Sequence, residues 1–164
     1  MKNHEVVELA ERLTGYASQI KALKGAKFGY CIIKNTEALG KEAKAVVDAK
    51  KVNEDFTKYD AERIVVCEKF AEKDEKGEIK KRPIGPGKFE YIIDQSNEDF
   101  KAAIAELQTK YADAITAQTT NDQDYFTFLN EENTTFVPYK ISIEAVPNEI
   151  SIEVLSVIKS FIQE

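Results

Sequence analysis

The chain has 164 residues, enough for one domain with a modest core. Charged residues make up 32% and tryptophan is absent, which suits a thin helical protein better than a compact enzyme with a deep pocket. The net charge of −6 is uneven, with +3 over residues 1–93 and −9 over residues 94–164. An acidic second half and only three arginines (Arg12, Arg63, Arg82) argue against a nucleic-acid wrapper, which needs a continuous basic face.

In chain order, Asn3 reads as an N-cap before the amphipathic run Val6, Val7, Ala10, Leu13, Ala17, Ile20, so residues 1–25 are expected to form an N-terminal helix. Gly15 inside it costs about 1 kcal/mol relative to alanine and marks a kink or a close contact. Gly25 reads as its left-handed cap. Residues 26–73 carry one stripe stepping by threes and fours: Phe28, Ile32, Asn35, Leu39, Val46, Asn53, Phe56, Ile64, Cys67, Phe70. A second stripe over 97–132 runs through Phe100, Ile104, Leu107, Tyr111, Ile115, Gln118, Tyr125, Leu129. Each stripe needs a partner. The two therefore predict a long antiparallel helical hairpin with Ile32, Leu39, Val46, Phe56, Ile64, Leu107, Tyr111 and Ile115 in its seam.

Between the stripes, residues 74–95 contain Lys76-Gly77, Pro83, Gly85, Pro86 and Gly87, which no helix accommodates. Phe89 to Ile93 reads as a strand and Ile79 as part of the opposing one, so a β-hairpin tips the helical hairpin. Ser96 caps the next helix, which passes through the poor helix formers Thr119 to Asp122 as helix or with a brief interruption, because Tyr125 and Leu129 keep its phase. Within 136–164, the alternation of Val137, Tyr139, Ile141 and Ile143 predicts a strand over 136–146. Pro147 ends it, and Ser151 caps a last helix. The fold class is thus mainly α with a small β element, in a single domain spanning 1–164.

Chemistry-bearing residues are sparse. His4 is the only histidine, and beside Glu5 and Glu8 it reads as an exposed helix terminus rather than a metal site. Cys31 and Cys67 read as small buried residues, not as a disulfide or nucleophiles. Glu72, Asp74, Glu75 and Glu78 lack the ligand order of a calcium loop. No catalytic constellation, metal or cofactor is expected. The best candidate for a ligand site is the segment with Lys80, Lys81, Arg82, Gly85, Gly87 and Lys88, where cations and freed backbone N–H groups suit phosphate, although it is no P-loop. Tyr125, Phe126 and Phe128 exceed one helical face and are the expected interface of a homo-oligomer, by default a twofold dimer. No apolar run approaches about 18 residues and no signal-peptide pattern opens the chain, so a soluble, cytoplasmic protein is expected, with no membrane partner.

Several segments, in this order, carry a resemblance: Lys27 to Asn35 after the opening helix, Leu39 and Glu42 leading to Tyr59, Ala71 to Gly77, Tyr91 to Asp94 with Phe100, Phe128 to Glu132, and then Pro147, Ile150, Leu155, Ile158, Phe161 and Ile162. Together they cover nearly the whole chain, which resembles a family of small bacteriophage proteins of unknown function. Arg82 to Gly87 departs from the family pattern. The resemblance implies a phage or prophage origin, and so the cytoplasm of an infected bacterium, but transfers no activity and no residue role. The expected function is a non-catalytic phage accessory binding protein, such as a counter-defence protein that sequesters a host immune signalling nucleotide or blocks a host immune protein. The alternative is a virion structural or assembly accessory.

Overall fold

A computed structural model describes residues 1–163. The protein is mainly α with two small two-stranded β elements. It packs as two compact units, one of residues 1–51 with 123–163 and one of residues 52–122.

In the first unit, α1 (Asn3–Gly15) and α2 (Ala17–Ala22) are separated at Tyr16, next to the weak Gly15. Lys2, not Asn3, is the capping residue, and its N–H donates to the Glu5 carboxylate at 2.7 Å. Asn3 is instead buried, with its amide donating to the Phe128 carbonyl at 2.8 Å. Gly25 adopts φ +129° as the residue that opens α3 (Ala26–Asp48), not as the cap of the preceding helix.

The single helix expected over 26–73 is broken. α3 ends at Asp48, and α4 (Glu54–Phe70) begins afresh because the Asn53 side chain accepts from the Phe56 N–H at 3.0 Å. A polar residue in phase with the stripe is therefore a cap, not a seam position. The α3 stripe of Phe28, Cys31, Leu39 and Ala43 packs on Val6, Leu9 and Leu13 of α1 and on Val154, Val157, Ile158 and Phe161 near the C-terminus. Leu39 is fully buried in that cluster, which does not include Leu107.

The strand expected over 136–146 shrinks to β3 (Ile141–Ser142), which pairs in parallel with β4 (Ile162–Gln163). Asn35 explains the shortening. Its Nδ2 donates to the Tyr139 carbonyl and its Oδ1 accepts from the Tyr139 N–H, both at 2.8 Å, so a side-chain amide takes the place of a neighbouring strand. α7 (Ile152–Ile158) starts as expected, with the Ser151 hydroxyl accepting from Val154 N–H.

In the second unit α4 runs antiparallel to α5 (Glu98–Lys110): Tyr59 meets Tyr111 at 5.9 Å between ring centroids and Phe70 meets Phe100 at 5.8 Å. This is a helical hairpin with a β-hairpin between its arms. Asn97, one residue after the expected Ser96, caps α5, while Ser96 donates its hydroxyl to Asp94. The helix is interrupted at Tyr111, and α6 (Ala112–Asn130) then continues through Thr119 to Asp122. Thr116, Thr119 and Thr120 each donate to the carbonyl four residues back, which satisfies their hydroxyls inside the helix. Gln118 is buried and accepts from the Asn53 N–H at 2.9 Å. Ile64, expected in the seam, is exposed.

Candidate binding surface

The β-hairpin pairs β1 (Lys81–Gly85) with β2 (Lys88–Tyr91) through a turn at Pro86-Gly87, where Gly87 has φ +68°. Proline followed by a residue at positive φ is the pairing of a type II turn. Pro83 lies inside β1, opposite Phe89, where a two-stranded sheet leaves each strand one free edge. Ile79 lies before β1 and bridges Lys73 instead of joining the strand.

The base of this hairpin is a closed ring of three backbone hydrogen bonds. Glu72 N–H donates to Ile92 at 2.8 Å, Ile92 N–H to Lys80 at 3.2 Å, and Lys80 N–H to Glu72 at 2.8 Å. Before the ring, Asp74 pins its own turn by accepting from Lys76 and Glu78 N–H groups at 2.8 and 2.9 Å, with Gly77 at φ +82°. The expected turn at Lys76-Gly77 is present. Tyr91 ties the hairpin to α4 by donating its hydroxyl to Glu68 at 2.8 Å, and that carboxylate holds the phenol above its ordinary range.

The cations of this segment divide between the two faces of the hairpin. Alternation along β1 sends Lys81 and Arg82 to opposite faces. Arg82 is paired with Glu90 across the strands, Lys80 with Glu72 at 3.3 Å, and Lys81 lies 4.9 Å from the centroid of the Tyr91 ring. Lys88 opens β2 beyond the turn, and Gly85 keeps an ordinary φ.

What the hairpin does bring together is mixed in character, with Arg63, Lys81, Glu90 and Gln95 among apolar side chains. A groove of about 560 Å³ lies between α4 and the β-hairpin. Cys67 and Phe100 are buried at its floor, and Ile64, Ile84, Phe89 and Tyr91 stand around it. Ile84 and Phe89 are 60% and 61% exposed, although both belong to strands. Large apolar side chains left bare around a groove are the ordinary mark of an interaction surface. The sequence held a signal for it: Ile84 and Phe89 are bulky apolar residues on a two-stranded hairpin too small to have a core.

Elsewhere, Phe126 is 69% exposed, while Tyr125 and Phe128 are half-buried with their rings 6.3 Å apart and Lys50 Nζ 5.9 Å from the Tyr125 ring. His4 Nδ1 lies 3.0 Å from the Leu129 carbonyl. Among the described residues no group of His, Cys, Asp or Glu is placed to hold a metal ion, and no helix is long and apolar enough to cross a membrane.

Cys31 and Cys67 are free thiols whose burial pushes both pKa values up, opposed at Cys31 by the Asn35 hydrogen bond and at Cys67 by Arg63. Both are therefore expected to alkylate far more slowly than a free thiol of pKa about 8.5 at neutral pH. Intact-mass analysis of native and urea-treated protein checks this, and equal labelling rates in the two states would refute it. No family model, curated protein or solved structure matches the chain.

Proposed function

We propose that this protein is a non-catalytic binding protein whose working surface is the groove between α4 and the β-hairpin. On the phage resemblance, its partner is a protein of the infected host, blocked in the manner of a counter-defence factor. The observation that carries this reading is the bare pair Ile84 and Phe89 beside a groove floored by Cys67 and Phe100. Such a surface takes an apolar side chain or strand of another protein.

Capture of a signalling nucleotide is the weaker reading. Carboxylates already accompany Lys80 and Arg82, and the remaining cations are divided between positions rather than gathered on one point. A virion accessory would use the same groove against a phage protein.

The test is photo-crosslinking from position 84 in the full chain within infected cells. A single defined host protein is expected as the adduct. Phe89→Glu should weaken binding to that purified protein by about 2 kcal/mol, roughly 30-fold. Arg82→Ala with Lys88→Ala should leave binding unchanged. Adducts with particle proteins would select the virion reading. Heat on titration with signalling nucleotides that disappears in the Arg82 and Lys88 variant would select the nucleotide reading.

A further inference from the structure

A pocket of about 490 Å³ lies within the first unit, between the first turn of α3 and the segment around β3. It shares no residue with the groove at the β-hairpin. Its size falls in the range of small-ligand pockets, about 300–1,000 Å³. Two features set its lining apart. The first is charge: Lys27 and Lys140 line it and no carboxylate does, in a chain whose net charge is −6. Lys44, Lys58, Lys80, Lys101 and Lys110 each have a carboxylate partner, whereas among the described residues Lys27 and Lys140 have none. The second feature is aromatic. Tyr30 and Tyr139 line the pocket with their ring centroids 5.6 Å apart and their planes at 84°. They are 51% and 49% exposed, and neither belongs to the core cluster. Both are held by groups that do not line the pocket. Lys34 Nζ lies over the Tyr30 ring, 5.7 Å from its centroid, and the buried Asn35 takes both the N–H and the carbonyl of Tyr139.

We propose that this pocket binds a small molecule that joins a flat aromatic ring to a phosphate, of the nucleoside monophosphate class. The ring stacks on a tyrosine, a contact open to any base because every base has a π-face. The ammonium groups of Lys27 and Lys140 donate charge-assisted hydrogen bonds to the phosphate oxygens. Neither feature alone selects such a ligand: lysines alone take any anion, and tyrosines alone take any flat ring. Together in one small pocket they ask for both in one molecule. A wall already anchored through Lys34 and Asn35 loses little freedom when the ligand arrives. A longer nucleic acid is a poorer fit, because each added phosphate meets a chain that is acidic as a whole. This site goes beyond the proposed function and does not use the hairpin.

The experiment is a titration of the isotope-labelled full chain with adenosine monophosphate, followed by backbone amide NMR. The amides of Ala26, Lys27 and Tyr30 and those from Tyr139 to Ser142 are expected to shift and to saturate. Adenosine and inorganic phosphate should each bind at least tenfold more weakly than the nucleotide, because each keeps only one of the two contacts. Lys27→Ala with Lys140→Ala should weaken the nucleotide at least tenfold, a loss of about 1.4 kcal/mol or more. Its circular dichroism should be unchanged, since both side chains are exposed. Lys27→Arg with Lys140→Arg should keep binding, as should Tyr30→Phe, whereas Tyr30→Ala should weaken it. Four results would overturn the proposal: no shift at millimolar nucleotide, equal affinity when both lysines are alanine, adenosine or phosphate binding as tightly as the nucleotide, or a single-stranded oligonucleotide binding more tightly. Shifts centred on Lys81 to Tyr91 that vanish in Arg82→Ala with Lys88→Ala would also overturn it, in favour of the nucleotide reading of the hairpin. The other outcomes do not involve Ile84 or Phe89, so they leave the proposed function standing.

Discussion

Leu39→Ala is expected to destabilise the first unit by about 2–5 kcal/mol, the range for truncating a fully buried leucine when its surroundings collapse only partly. Leu39 has no exposed surface and lies in the cluster that joins α3 to α1 and the C-terminal segment. Phe28 and Phe161, large rigid rings in that cluster, are poorly suited to flow into the space left behind. Leu107→Ala, at a site 9% exposed and outside that cluster, should fall toward the lower end of the same range. Urea unfolding followed by circular dichroism measures both. An unchanged unfolding midpoint for Leu39→Ala would remove the packing described for α3.

Asn35→Ala is the second large effect. It removes the acceptor for the Tyr139 N–H and one of the donors to the Tyr139 carbonyl. The carbonyl keeps a weak donor in the Cys31 thiol at 3.4 Å, but the N–H loses the partner the fold provides. Leaving a part-buried backbone donor unsatisfied costs about 1–3 kcal/mol, apart from the small cavity left by the amide. Asn35→Asp keeps one acceptor oxygen but brings a charge to a buried site, and should do no better. Amide hydrogen exchange at Tyr139 reports on the bond directly. Protection at Tyr139 that is equal in Asn35→Ala and in the unaltered chain would show that the amide does not hold this segment.

The same amide explains where sequence patterning stops. Of the alternating Val137, Tyr139, Ile141 and Ile143 only Ile141 is buried, and only Ile141 and Ser142 of that segment are in a strand, because a helix side chain has taken the hydrogen bonds of Tyr139. Periodicity reports the spacing of apolar side chains, not which backbone groups already have partners. At Asn53 the limit is different. Its position continues the stripe of α3, so helical phase alone carries the reading across a break, while its chemistry as a cap argues for a new start. The signals that did succeed were strongly local: Ser151 as a cap, Lys76-Gly77 as a turn, and the helical phase of Phe100 and Leu107. Ile64 had the right spacing for a seam but stands beside the groove at the β-hairpin. Phe89 was readable as a strand residue and Ile84 fell in the segment broken by glycine and proline, but their shared exposure beside Cys67 depends on how the hairpin is set against α4, which spacing does not encode.

The ring of hydrogen bonds among Glu72, Lys80 and Ile92 is made only of backbone groups. It is therefore indifferent to side-chain identity at all three positions, apart from proline, which lacks the N–H each must donate. Beyond the ring, only the Tyr91 hydroxyl bond to Glu68 asks a strand for a particular side chain to tie the hairpin to α4. A chain built this way can exchange Ile84, Phe89, Lys81 or Arg82 for other residues over generations without refolding its tip. Such exchanges would alter the surface of the tip and leave its backbone frame in place.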